Sequence, residues 1–142
     1  MANGWWGDDP PFRAPVFVVT SHPRESLEMQ GGTTFHFVTD GIAAALDRAV
    51  EAAGDRDVHV AGGADVVQQV LNAGRFDEIT VHVAPRMLGS GRRLFEGIDP
   101  DRVRLEQVAM PASPTATHLR YRVTPSARLP VRRRPAARDA PA

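Results

Sequence analysis

At 142 residues the chain has room for one domain of ordinary size. Its 17 basic and 17 acidic residues cancel, so no global field draws it to nucleic acid or to a membrane surface. Every basic residue is arginine and cysteine is absent, which excludes a lysine Schiff base, a P-loop lysine, disulfides, thiol nucleophiles and thiolate metal sites.

Residues 1–14 are rich in Gly, Pro and Asp without a period and read as a loop. Pro15 to Thr20 is a short apolar, β-branched run, the pattern of a strand in a parallel sheet. A second strand is expected at Phe35–Val38, after a turn at Gly31-Gly32. Thr39-Asp40 then offers capping oxygens for a helix whose stripe is Ile42, Ala45, Leu46, Ala49 and Val50, ended by Gly54. Asp57 to Ala61 reads as a third strand closed by Gly62-Gly63, and 64–73 as a second helix stopped by Gly74. Ile79 to Ala84 alternates, with Ile79, Val81 and Val83 on one face and Thr80 and His82 on the other. Strand–helix–strand–helix–strand with short connections predicts an α/β fold with a mostly parallel sheet flanked by helices. The runs Val103–Met110 and Thr117–Val123 predict an antiparallel hairpin at an edge. One folded domain over 15–123 is thus expected, followed from 124 by a Pro-, Ala- and Arg-rich disordered tail. No run is long and apolar enough to span a membrane and no leader opens the chain, so a soluble, cytoplasmic, bacterial-type protein is expected.

Gly62-Gly63 closes a strand and opens a helix, where backbone N–H groups and the helix dipole suit an anion; a plain tight turn is an equal reading. The Rossmann pattern G-x-G-x-x-G is absent. Thr20-Ser21-His22, with Arg24 nearby, stands at another strand's carboxyl end, where two hydroxyls and a guanidinium can hold a phosphate or simply cap a turn. Leu88-Gly89-Ser90-Gly91 is a flexible turn, Arg92 and Arg93 fit a solvated face, and Leu94-Phe95 is expected to return the chain to the core. His36, His59, His82 and His118 are scattered singly on strands, so no metal is expected. A G-x-S-x-G elbow is missing, and Arg132-Arg133-Arg134 is too short a basic run to predict nucleic-acid binding.

The succession V-F-V-V-T-S, F-V-T-D-G, D-V-H-V-A-G-G, F-D-E-I-T-V-H-V-A-P, L-G-S-G-R-R-L-F and T-H-L-R-Y-R-V resembles the dihydrofolate-reductase-like family. More narrowly, it is similar to the C-terminal reductase domain of the riboflavin-biosynthesis deaminase-reductase, over about Asn3 to Val123. The resemblance implies an NADPH-dependent reductase of a small heterocyclic substrate, such as a ribosylated pyrimidine; the 5-amino-6-(5-phosphoribosylamino)uracil reductase is the model case. It places Thr20 and Ser21 near the adenosine 2′-phosphate and Gly62, Gly63, Ala64, Asp65 and Val66 along the pyrophosphate and nicotinamide. Leu88, Gly89, Ser90 and Gly91 would lie by the substrate opening, no catalytic side chain is implied, and a homodimer is compatible. The family's opening S-L-D-G strand and G-R-R-T-Y/F helix have no counterpart here, which leaves open a truncated, non-catalytic nucleotide-binding or self-associating fragment. A generic nucleotide-binding module fits the two phosphate-suited turns but leaves the L-G-S-G loop unexplained.

Overall fold

The apolar run predicted to be a parallel strand forms β1 (Pro15–Val19), and the computed structural model, which describes residues 7–125, continues with β2 (Leu27–Glu28) and β3 (Thr34–Val38). β1 and β3 pair in parallel from Pro15 opposite Thr34 to Val19 opposite Val38, and β2 adds antiparallel to the other side of β3. Between β2 and β3 the chain turns at Gly31 and Gly32, with φ of 71° and 83°, a region that side-chain-bearing residues rarely enter. Phe17 stacks on His36 at 5.1 Å, and Phe12 meets Phe35 edge-on at 6.2 Å.

The 3.6-residue period from Ile42 becomes α1 (Gly41–Ala53), which packs mainly against β1. Ala45 and Leu46 of its apolar stripe are buried. Gly54 ends it as expected, with φ of 59° and its N–H donating to the Val50 carbonyl. The cap at the other end differs from expectation. Asp40 stands at the N-cap position, but its carboxylate makes no capping bond and pairs with Arg48 at 2.9 Å. A guanidinium within reach competes for the oxygens that would otherwise receive the helix N–H groups.

The predicted helix at 64–73 is α2 (Ala64–Asn72), with Val67, Val70 and Leu71 buried. Residues 57–61, expected as a strand, are in no sheet. The β-branched pattern of Val58 and Val60 is present, but a strand also needs an adjacent edge to exchange hydrogen bonds with, and none is paired to it.

The chain divides between Ala73 and Gly74 into two compact units. The second contains β4 (Glu78–Val83), β5 (Val103–Ala109) and β6 (Thr117–Pro125), all antiparallel in the order β4-β6-β5. Parallel pairing among the described residues is therefore confined to β1 with β3, a smaller share than the expected mostly parallel sheet. The predicted hairpin of β5 and β6 forms, with an irregularity between Gln107 and Ala109, but β6 lies in the middle of its sheet. The proposed tail lies, apart from Thr124 and Pro125, outside the described residues.

Thr33 fastens the loop ahead of β1 to the start of β3. It is fully buried; its Oγ1 accepts the Arg13 N–H at 3.0 Å and donates to the Pro10 carbonyl at 3.3 Å. Replacing it with the isosteric valine leaves a donor and an acceptor without a partner. Thr33→Val is expected to lower unfolding stability by about 1–3 kcal/mol, while Thr33→Ser retains most of it. Urea unfolding of both variants measures this, and an unchanged Thr33→Val would remove the fastening role.

Candidate functional site

Two parallel neighbours place their carboxyl ends side by side. The Thr20 N–H donates to the Val38 carbonyl at 3.0 Å, carrying the ladder one residue beyond β1. Thr20-Ser21-His22 and Thr39-Asp40-Gly41 thus leave the same end of the sheet. Thr20 Oγ1 accepts the His22 N–H at 3.1 Å, and Ser21 Oγ lies 3.2 Å from His22 Nδ1. As a hydroxyl that accepts, Thr20 keeps its own proton to donate. Ser21 is exposed. Arg24 places its guanidinium over the Phe37 ring at 4.8 Å, which holds a positive charge at this end of β3.

A cleft of about 540 Å³ opens along β1 in the same unit. One wall is Val16–Val19; the others are the α1 residues Ile42, Leu46 and Ala49 and the stretch 57–62, which belongs to no helix or strand. Most of these side chains are apolar, as in pockets that enclose small ligands, and the volume falls within their usual range. Gly62 and Val66, both expected at a cofactor, line the cleft. Gly63, Ala64 and Asp65 follow Gly62 directly and open α2, with Gly63, which has no side chain to cap it, at the N-cap. Gly62 and Gly63 have φ of 106° and 41°, and a Cβ on either would meet no atom within 4 Å. Backbone conformation, not crowding, therefore requires glycine at both, and the space beside them is open to a ligand.

The structure groups the sequence-predicted residues unevenly. Thr20 and Ser21 follow the end of β1; Gly62 and Val66 line the cleft, and Gly63, Ala64 and Asp65 between them lead into α2. Leu88, Gly89, Ser90 and Gly91 belong to the second unit, in an exposed turn where Leu88 is 84% and Met87 fully exposed. Phe95 does not return to the core as expected. It is 46% exposed, and only Leu94 of that pair is half-buried. The apolar walls of the cleft were not singled out from sequence; the face of α1 carrying Ile42, Leu46 and Ala49 was the available signal. Among the described residues no buried side-chain nitrogen or oxygen lacks a partner, and no group of three or more His, Cys, Asp or Glu could hold a metal. No helix among them is long and apolar enough to cross a membrane.

The family model for the RibD C-terminal domain matches residues 1–119. The chain belongs to that family. Among solved structures, it is similar to a pyrimidine reductase-like protein from Corynebacterium diphtheriae, with 23% identity and a TM-score of 0.50 over 65% of this chain and 39% of that one. It is also similar to a protein from Shewanella sp. PV-4 described as a riboflavin biosynthesis protein, with 19% identity and a TM-score of 0.59 over 80% of this chain and 63% of that one. The chain thus spans less than two thirds of the length of either. These likenesses place its helices and sheets in the dihydrofolate-reductase-like α/β fold class. No curated protein matches it.

Because the constraint at the glycine pair is conformational, Gly62→Ala and Gly63→Ala are each expected to cost about 1–2 kcal/mol of stability despite the open space. Denaturant midpoints measure the loss, and neutral substitutions would show that the backbone there relaxes freely.

Proposed function

We propose that this RibD C-terminal domain chain forms the nucleotide-binding part of an NADPH-dependent reductase acting on a small heterocycle of the ribosylated-pyrimidine class. The observation that carries the reading is the glycine-only entry to α2 at Gly62-Gly63, open on its Cβ side, beside an apolar cleft that Gly62 lines. A helix start presents N–H groups that suit a pyrophosphate, and glycines allow close approach. Asp65 adds a negative charge to that first turn, so the phosphates rest on the main chain of Gly62 and Gly63, and Ala64 and Val66 flank the cofactor.

At the carboxyl end of β1, the Thr20 and Ser21 hydroxyls donate to the adenosine 2′-phosphate. NADPH supplies the hydride when bound. The chain's own part is to bind, orient and exclude water, which agrees with a cleft walled by valine, leucine and alanine side chains. Leu88 to Gly91 serve the substrate in this reading, and the chain works in the cytoplasm as a homodimer.

Titration of the purified chain with NADPH, followed by nucleotide fluorescence with NADH as control, tests the proposal. Saturable binding that prefers NADPH is expected, and Gly63→Val is expected to abolish it by filling the space a phosphate needs. Replacing Thr20 and Ser21 together with alanine should weaken NADPH about tenfold or more while changing NADH little, since hydrogen bonds to a charged group contribute roughly 1.5–3 kcal/mol. Equal losses for both nucleotides would remove the 2′-phosphate assignment. A folded chain that binds neither would favour a non-catalytic fragment that acts through self-association.

A further inference from the structure

His82 and His118 are 36 residues apart in sequence and face each other across β4 and β6. The His118 N–H donates to the Pro111 carbonyl at 2.9 Å, not across to His82, so the two form a non-hydrogen-bonded pair. Side chains at such pairs approach most closely, with Cα atoms about 4.5 Å apart. Their ring centroids lie 4.8 Å apart at 75°, and the two Nδ1 atoms share a hydrogen bond of 2.5 Å, whose proton an ion bound to both would replace.

The same sheet face carries Glu78, Thr80, Arg120 and Arg122. Its carboxylates are engaged: Glu78 accepts from Arg120 Nε at 3.0 Å, and Glu106 from Arg122 at 3.3 Å. What remains at the Ala84 end of β4 is a pair of converging imidazole nitrogens on two strands joined by a ladder.

We propose that His82 and His118 chelate a divalent transition-metal ion through their two Nδ1 atoms, with water completing the coordination. Bonds of about 2.0–2.1 Å from one ion set two imidazole nitrogens about 2.9 Å apart at a square-planar angle and about 3.3 Å apart at a tetrahedral one. The Nδ1 atoms therefore need to part by about 0.4–0.8 Å, and His82 is exposed enough to turn. A donor set of imidazoles without free carboxylates selects borderline ions, with Cu²⁺ held more tightly than Ni²⁺ or Zn²⁺, and leaves Mg²⁺ and Ca²⁺ unbound. The ladder fixes both strands beforehand, so little is lost in ordering the site. This site lies wholly in the second unit and is independent of the nucleotide reading.

The full chain is titrated with Cu²⁺ alone and followed by electron paramagnetic resonance, then with Zn²⁺ alone and followed by imidazole ¹⁵N signals. One Cu²⁺ coupled to two imidazole nitrogens is expected, with the His82 and His118 signals moving together as Zn²⁺ is added. Removing one imidazole turns two-point into one-point holding, so His82→Ala and His118→Ala should each weaken Cu²⁺ on the order of 100-fold. His36→Ala and His59→Ala should leave it unchanged. Circular dichroism checks that the variants fold, and His118→Gln replaces any that does not. Copper held as tightly by either single variant as by the unsubstituted chain, or Zn²⁺ shifting other histidines instead, overturns the proposal.

Discussion

The parallel register of β1 and β3 is the constraint on which the first unit depends. Parallel strands share a direction, so both leave the sheet at one end, and whatever follows each of them is brought together there. From β1 that is Thr20-Ser21-His22; from β3 it is Thr39-Asp40 and the start of α1. The Thr20 bond to Val38 continues the ladder past β1 and fixes the first of these segments against the second. α1 then folds back along β1, and its apolar stripe becomes a wall of the cleft. Shifting this register by one residue would put Phe17 and Val38, which now share a face, on opposite faces and dismantle both the core and the site.

Much of this was legible from local pattern. β1, β3, β4, both helices and the β5–β6 hairpin follow from periods of two or 3.6 and from the glycines that end them, because those signals are written within a few residues. The failures share a cause. Residues 57–61 have the composition of a strand, but pairing is a property of two segments and only one is visible in a local window. Asp40 has the right type for a helix cap, but Arg48, two turns on, takes its carboxylate. Phe95 follows an apolar pattern and is still exposed.

The candidate site was legible in the same partial way. Glycines at the entry to α2 and hydroxyls after β1 stand out because those residue types have specific uses there. The cleft walls do not, since Val18 or Ala49 would be equally at home in any core. The histidines are the clearest case of what a linear reading misses. His82 and His118 stand 36 residues apart along the chain, and only the register of β4 with β6 makes them neighbours.

The order β4-β6-β5 has a consequence for synthesis. The central strand of that sheet is the last of the three to be made, so β4 and β5 emerge from the ribosome with no neighbour to pair with. Glu78 waits for Arg122 and Val83 for Thr117, and closing such long loops precedes any gain from the contacts. The first unit, by contrast, has its parallel pair by Val38 and its covering helix by Ala53. The two units therefore acquire structure in sequence during translation, and β4, with its alternating valines, spends that interval as an unprotected edge for which chaperones and other nascent chains compete.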